Sequence, residues 1–245
     1  MIDIAITATI RPDVLQKTLS SFYCYCFTNY SYISKCENIH IVLNVDPIGD
    51  TNKYNQQDVL NTCYNFSKNI TFNFPKKASF PKAVKWVWKN CKSEFVFHLE
   101  DDWELKRNVD LLKIINYFDR TDLSAIRLYK KKYPSKEPYM MFDCEYLFDG
   151  NELFIALDSG TQFGLNPSLI KRSFIKEALP LMVDDLNPEK QFRIKNIKMK
   201  DFILNHKYGI FGVPGDIALV NDIGTDWRIK RDIAKSIGSS FLTWV

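Results

Sequence analysis

The apolar positions of the first half of the chain change their period several times. Ile2 to Thr9, mostly apolar with Asp3, Thr7 and Thr9 among its residues, reads as a first strand. After Arg11-Pro12 the residues Leu15, Leu19 and Phe22 recur at helical spacing and share one face. Ile39 to Val45 predicts a second strand ending at Asp46-Pro47. A helix from about Gln57 to Ser67 would gather Val59, Leu60, Cys63 and Tyr64. Ile70 to Phe74 reads as a third strand, and Pro81 suits the first turn of a helix over Phe80 to Asn90. Glu94 to Leu99 is a buried strand running into acids, followed by a helix around Asn108 to Phe118 and a strand from Leu123 to Tyr129. This alternation is the pattern of a layered α/β sheet.

The second half is less regular. Asp149-Gly150-Asn151 between two apolar runs predicts a hairpin turn. Asn166-Pro167 and Asn187-Pro188 each read as a cap followed by a first helical proline, the second helix running to about His206. Ile210 to Val213 and Ile217 to Val220 read as short strands, with a helix near Asp226 to Ser236 before the tail Phe241 to Val245. No internal repeat, low-complexity tract or linker interrupts the chain.

Composition narrows this picture a little. The chain has 245 residues, 46% apolar and 25% charged, ordinary for a globular protein with room for a large core. Aromatics reach 14%, enough for rings both in the core and along a cleft. The net charge of +4 permits a polyanionic partner without demanding one. The start, Met1-Ile-Asp-Ile4, lacks the character of a secretory signal, and no run approaches the ~18–20 apolar residues of a membrane span. A cytoplasmic protein without a membrane span is expected. Cys24, Cys26, Cys36, Cys63, Cys91 and Cys144 lack zinc-site spacing and read as reduced, mostly buried thiols. His40, His98 and His206 lie far apart, and His98 reads as a packed strand residue rather than a ligand.

The stretch Phe95-Val-Phe-His-Leu-Glu-Asp-Asp-Trp-Glu104 carries the most chemistry. A hydrophobic strand ends in three consecutive acids, at the strand end where parallel α/β sheets bind ligands. Three adjacent carboxylates repel one another unless something positive holds them, and a hard divalent ion with oxygen ligands is the natural candidate. Such an ion would bridge a nucleotide diphosphate and neutralise it as a leaving group. An acidic loop or helix start would show the same composition.

Three segments then carry a resemblance. Thr7-Ala-Thr-Ile-Arg-Pro12 looks like the first strand and turn of GT-A fold glycosyltransferases. Asp46, at the end of the second strand, looks like their base-binding acid, and Glu100-Asp101-Asp102 with Trp103 like their D-x-D-type motif beginning with Glu. The chain thus resembles in particular the large inverting family of small bacterial and viral enzymes of that fold. The resemblance implies an α/β, GT-A (Rossmann-like) mixed sheet flanked by helices. It implies one domain, with residues 1–105 as the nucleotide-sugar half and 106–245 as the acceptor half. By the same resemblance Ala8, Thr9 and Arg11 line the nucleotide pocket and Asp46, or else Asp50, holds the base. Glu100 and Asp101 meet the ribose or donor sugar, and Asp102 the metal. Lys82 stands where relatives often place Arg, and either meets a phosphate as a point charge or is a solvated helix residue.

In the acceptor half the general base would be Glu189, in the first turn after Asn187-Pro188, with Asp185 in reserve. Glu at that position is also a routine helix-start residue. Val220-Asn-Asp-Ile-Gly-Thr-Asp-Trp-Arg228 resembles a late segment that returns a side chain to the metal or diphosphate. It offers Asp222 as a second metal ligand and Arg228 as a phosphate contact, with Thr225 or Asp226 as a helix cap. Ser159 to Gly164 is a plausible acceptor loop. Lys76-Lys77, Lys130 to Lys132 and the set Arg193, Lys195, Lys198, Lys200 read as solvated faces that would also suit a phosphate backbone.

The expectation is a glycosyltransferase using Mn²⁺ or Mg²⁺ and a nucleoside diphosphate sugar, a UDP-sugar foremost. The acceptor hydroxyl belongs to a glycan, a lipid-linked sugar or a hydroxymethylated base in DNA. Inversion follows from the resemblance alone, and a retaining route stays open. A nucleotidyltransferase is the first alternative, but it would carry a glycine-rich loop after strand one, and Thr7 to Pro12 has no glycine. A non-catalytic carbohydrate- or nucleic-acid-binding module is the second. The oligomeric state is not legible.

Overall fold

A nine-stranded sheet runs through the computed structural model, which describes residues 2–34, 39–130, 144–146, 152–156, 163–192, 196–212, 218–231, 233, 235–237 and 242–244. The first half supplies β1 (Ile2–Ile10), α1 (Pro12–Phe22), α2 (Thr28–Ser34), β2 (His40–Gly49), α3 (Gln56–Tyr64), β3 (Ile70–Asn73), α4 (Phe80–Asn90), β4 (Phe95–Glu100), β5 (Trp103–Leu105), α5 (Leu111–Arg120) and β6 (Leu123–Leu128). The second half supplies β7 (Cys144–Tyr146), β8 (Leu153–Ala156), β9 (Ser168–Lys171), α6 (Arg172–Ala178), α7 (Pro188–Lys190), α8 (Ile197–Leu204), β10 (Lys207–Phe211), β11 (Val220–Asp222), α9 (Gly224–Ile229), β12 (Lys235–Ile237) and β13 (Leu242–Trp244). The sheet order is β3-β2-β1-β4-β9-β6-β10-β8-β7. Strands β3, β2, β1 and β4 are parallel, and β9 lies antiparallel between β4 and β6. This is the mixed, helix-flanked α/β sheet expected from the sequence.

Strand alternation sorts side chains into two layers. Ile4, Ile6, Ala8, Leu43, Val45, Phe97 and Leu99 face α1, α3 and α5 in one core. Ala5, Val42, Val96 and Ile170 face α4, α6 and α8 in the other, where Trp88, Phe163, Phe174 and Phe192 pack ring on ring. Burial on both faces explains why the central strands read as near-continuous apolar runs.

Several elements differ from expectation. Asn166-Pro167 does not open a helix. Ser168, Leu169 and Ile170 are at most 1% exposed and pair with both β4 and β6, so long-range pairing overrides the local cap signal. The helix expected from Asn187 to His206 is broken: Asn187 caps the short α7 and Asn196 caps α8, accepting from the Lys198 N–H at 3.1 Å. Asn196 also donates to the Leu181 carbonyl at 2.9 Å, which fixes it at that cap. The last helix ends at Ile229, and Lys235–Ile237 pairs antiparallel with Leu242–Trp244 instead of extending it. The two-stranded ladder of β5 with β11 has no counterpart in the expected elements. The turn at Asp149 to Asn151 and most of the Ser159 to Gly164 loop lie outside the described residues, although β7 and β8 pair antiparallel on either side of that turn. Cys26, Cys63 and Cys91 are free and buried, and Cys24 is free and exposed. No helix among the described residues is long and apolar enough to cross a membrane.

At the carboxyl ends of β1 and β2 the register shifts, so that Thr9 pairs with Asp46 but Ile10 with Gly49. Pro47 and Ile48 bulge out between them. Gly49 closes the bulge at φ 125°, where a Cβ would lie 2.6 Å from the Ile10 carbonyl oxygen. Gly49→Ala is therefore expected to cost about 1–3 kcal/mol, read as a lowered denaturation midpoint.

Candidate functional site

The acid cluster is organised around one buried guanidinium. Arg11 follows β1 directly and is 3% exposed. Its Nη2 pairs with the Asp101 carboxylate and reaches Asp102 Oδ2 at 3.2 Å, while its Nε donates to Thr9 Oγ1 at 2.7 Å and to Asp101 Oδ2 at 3.3 Å. Asp101, also 3% exposed, accepts further bonds from the Thr9 N–H at 2.9 Å and Thr9 Oγ1 at 3.1 Å. Its backbone is tied on both sides, its N–H to the Thr7 carbonyl at 3.1 Å and its carbonyl to Thr18 Oγ1 at 2.8 Å. Burial alone would lower the Arg11 pKa, but Asp101 and Asp102 outweigh it and hold the guanidinium above the usual arginine value. The positive charge that the three acids require is thus supplied for two of them by the protein itself.

Asp102 differs from Asp101 in facing outward, with its side chain 21% exposed. The late segment lies against it. The Ile223 N–H donates to the Asp102 carbonyl at 2.9 Å, and β11 pairs with β5 so that Asp222 stands opposite Trp103. Gly224 fits beneath the Asp102 carboxylate, where any Cβ would overlap it. Asp222 Oδ1 accepts from the N–H groups of Gly224 at 3.0 Å and Thr225 at 3.2 Å. Asp222, rather than Thr225 or Asp226, therefore makes the capping bonds of α9, and Asp226 lies in its first turn. Asp102 and Asp222 thus flank one glycine, both partly exposed.

Cations surround this pair. Lys130 Nζ lies 3.9 Å from Asp222 Oδ2 and 4.3 Å from the centre of the Trp103 ring. Arg228 bonds back to Thr225 Oγ1 at 2.9 Å and the Gly224 carbonyl at 3.3 Å. Trp227 is held between Arg11 at 5.2 Å and Arg231 at 4.5 Å, and Arg231 reaches Asp50 at 3.2 Å. Among the described residues no group of three or more His, Cys, Asp or Glu side chains forms a metal cage. Mg²⁺ and similar ions use only one or two carboxylates when substrate phosphates complete their shell. Asp102 and Asp222, brought to the two sides of Gly224 because no Cβ intervenes there, offer the two carboxylates that an ion of that kind would use.

On the face toward α4, the same strand ends carry polar side chains in register. Asn44 stands opposite Thr7 and Asn73, Thr7 opposite Glu100, and Ser168 opposite His98. Asp46 accepts from Asn44 at 3.0 Å and from the Ser79 N–H, just before α4, at 3.0 Å. Burial raises its pKa and the Asp101 charge adds to that, against these two bonds. Thr7 Oγ1, Ser79 Oγ, His98 Nε2 and Ser168 Oγ are buried with no hydrogen-bond partner among the described residues. Such groups call for a polar ligand or ordered water.

Not every residue singled out in the sequence joins this assembly. The Ala8 side chain belongs to the core on the other face of the sheet. Lys82 is exposed in the first turn of α4, one turn from Ser79. Glu189 is half-buried in α7 and Asp185 exposed, and neither side chain bonds to the acid cluster. That segment is moored to α4 by Asp184 and Lys85 at 2.7 Å. The sequence reading did not single out Trp227, Arg231, Asn44 or Ser168 for the site, and it named Lys130 only within a basic run suited to a phosphate backbone. A polar residue inside an apolar strand was the available signal for Asn44 and Ser168.

Two measurements follow from this geometry. Asp101→Asn leaves Arg11 buried without its main partner and is expected to cost about 3–5 kcal/mol in denaturation experiments. His98 is fully buried and accepts from Trp88 Nε1 at 3.2 Å, and burial pushes its pKa down to about 3. It stays neutral in the fold, whereas the unfolded chain takes up a proton below about pH 6.5, so stability falls as pH drops through that value. The slope between pH 6 and 5 approaches ~1.4 kcal/mol per unit from this group, and His206, also lowered by burial, adds with the same sign. His98→Gln is expected to remove most of that slope, measured by chemical denaturation across this range.

Sequence comparison matches the chain to no family model and to no curated protein. Solved structures do share its fold. Staphylococcus aureus TarS 1-349 superposes with a TM-score of 0.59 at 13% identity over 89% of this chain, and its complex with UDP with 0.57 at 14% identity over 89%. The mannosyltransferase PcManGT from Pyrobaculum calidifontis, in complex with GDP-Man and Mn²⁺, superposes with 0.54 at 11% identity over 94%. The chain spans about 59–60% of the length of these three. At these identities the likeness is one of fold.

Proposed function

We propose that the protein is a metal-dependent glycosyltransferase that takes a sugar from a nucleoside diphosphate sugar, a UDP-sugar foremost. The observation that carries this reading is the meeting of Asp102 and Asp222 around Gly224 at the carboxyl ends of the parallel strands. Ligands of open α/β sheets bind at that edge. In support, TarS and PcManGT share the fold, and their structures hold UDP or UDP-GlcNAc, and GDP-Man with Mn²⁺.

In this reading the nucleoside lies on the α4 face, over Thr7, Asn44, Asp46 and Ser79. Asp46, fixed by Asn44 and Ser79, meets the base. Thr9 and Glu100 border the ribose and sugar. Arg11 and Asp101 act from beneath, keeping the strand ends rigid and Asp102 in place. Asp102 and Asp222 would hold Mn²⁺ or Mg²⁺, which when bound supplies charge neutralisation for the departing diphosphate. Arg228, Lys130 and Lys82 add positive charge around the phosphates. The acceptor hydroxyl attacks the anomeric carbon as the bond to the diphosphate oxygen breaks, and its proton passes to Glu189 or Asp185. The resemblance in sequence favours inversion. The acceptor is a glycan, or a hydroxymethylated base in DNA.

Titration calorimetry with UDP, with and without Mn²⁺, tests this directly. Binding is expected to require the ion and to vanish in Asp102→Ala. Gly224→Ala should push the Asp102 carboxylate aside and weaken binding by ~10-fold or more, the usual effect of displacing the support of a metal ligand. Absence of binding for UDP and other nucleoside diphosphates would sink the donor-site reading.

A further inference from the structure

Each of the two carboxylates assigned to the ion has a cation of the protein's own, and the two cations are held differently. Arg11 is 3% exposed and clamped by Asp101 and Thr9, so its contact with Asp102 at 3.2 Å is a fixed part of the fold. Lys130 stands over Asp222 on looser terms. Its backbone is placed by Tyr129, whose N–H donates to the Phe211 carbonyl at 2.9 Å and whose carbonyl accepts from Leu219 and Val220 at 3.0 and 3.3 Å. Those bonds lay the end of β6 beside β11, yet the Lys130 side chain is 34% exposed and that of Asp222 33%. Lys130 Nζ lies 3.9 Å from Asp222 Oδ2 and 4.3 Å from the centre of the Trp103 ring, the residue paired with Asp222 across the β5–β11 ladder. The ammonium thus has two seats within reach, a carboxylate oxygen and an aromatic face.

The oxygen that Lys130 faces is the one an ion would use. Asp222 Oδ1 is engaged by the N–H groups of Gly224 and Thr225 at 3.0 and 3.2 Å, whereas Oδ2 meets the Thr225 hydroxyl at 3.5 Å. Lys130 Nζ therefore stands within about 6 Å of any cation bonded to Oδ2 at the ~2.0–2.1 Å of Mg²⁺. That is inside the ~8 Å over which physiological salt screens a charge. Ion and ammonium oppose each other at Asp222 until something anionic joins them. Resting on the donor-site reading above, we propose that Lys130 couples the ion to the nucleotide. Without ligands it neutralises Asp222 and opposes a divalent ion arriving alone. When ion and nucleotide bind together, it turns from Asp222 toward the diphosphate. Each ligand then lowers the cost of binding the other, and the coupling is reciprocal.

Counting free Mn²⁺ by its paramagnetic resonance signal, with and without UDP, tests this without measuring transfer. Lys130→Met keeps an aliphatic stem on Trp103 and removes the charge, so its thermal midpoint should stay near that of the wild type. The variant is expected to bind Mn²⁺ alone ~10-fold more tightly than the wild type, and UDP should improve its Mn²⁺ affinity ~10-fold less, within the usual range of such couplings. Lys130→Arg keeps the charge and should behave as the wild type. Lys89→Met, exposed in the last turn of α4, makes the same change in net charge elsewhere and should alter neither quantity. Unchanged or weaker binding of Mn²⁺ alone by Lys130→Met would overturn the proposal, as would an equal gain from Lys89→Met. If Asp102→Ala still abolished Mn²⁺ binding in that case, the donor-site reading would survive. Mn²⁺ binding absent both with and without UDP would sink the two together.

Discussion

The buried contact between Arg11 and Asp101 is the constraint on which the rest of the site depends. Removing two such charges from water is costly, and the cost is offset only when every donor and acceptor is aligned. Here Asp101 receives Thr9 twice and Arg11 twice, and its backbone is held by Thr7 and Thr18. The pair therefore locks the end of β4 to the turn after β1 and fixes where α1 starts. It also sorts three neighbouring acids into different roles. Asp101 turns inward as a structural anchor, Glu100 stays at the strand edge, and Asp102 is left facing solvent.

Upon that anchor the site is built from distant parts of the chain. The β5–β11 ladder carries Asp222 beside Asp102, although 120 positions separate them in sequence. Gly224 makes the approach possible, because the space a Cβ would fill is taken by the Asp102 carboxylate. Trp227, between Arg11 and Arg231, then ties α9 to the turn after β1, and Arg231 ties it again to Asp50. On the other side, Asp46 links β2 to the start of α4. The polar floor between these clasps is lined by groups without a hydrogen-bond partner among the described residues, a cost tolerated where something else binds.

Much of this was legible in the sequence where local pattern and tertiary environment agree. Strands β1, β2 and β4 are buried on both faces and so read as apolar runs. Helix α4 begins and ends at Phe80 and Asn90 as expected, because Pro81 marks its first turn and its apolar stripe packs on the sheet. The end of β4 stood out as the place for chemistry because acids do not follow a buried strand without consequence. Strand β9 was illegible because Asn166-Pro167 mimics a helix start, while its true character comes from partners 41 to 76 residues away. The role of Arg11 was hidden for a similar reason. The sequence shows three acids in need of positive charge, but not that a residue ninety positions earlier provides it. Asp222 could be picked out as an acid near the site, yet its bonds to Gly224 and Thr225 depend on the local turn. The convergence of Thr7, Asn44, His98 and Ser168 emerges only with strand register, since each alone is one polar residue in an apolar run.

The proposed division of labour between Asp101 as anchor and Asp102 as ion ligand is most directly tested by a crystal structure grown with Mn²⁺ and UDP, with the ion located by its anomalous signal. The expected result is a manganese peak at ligand distance from Asp102, with Asp222 beside it and Arg11 still paired with Asp101. A peak that engages Asp101 and displaces Arg11, or one remote from Asp102, would contradict this assignment and the site built on it.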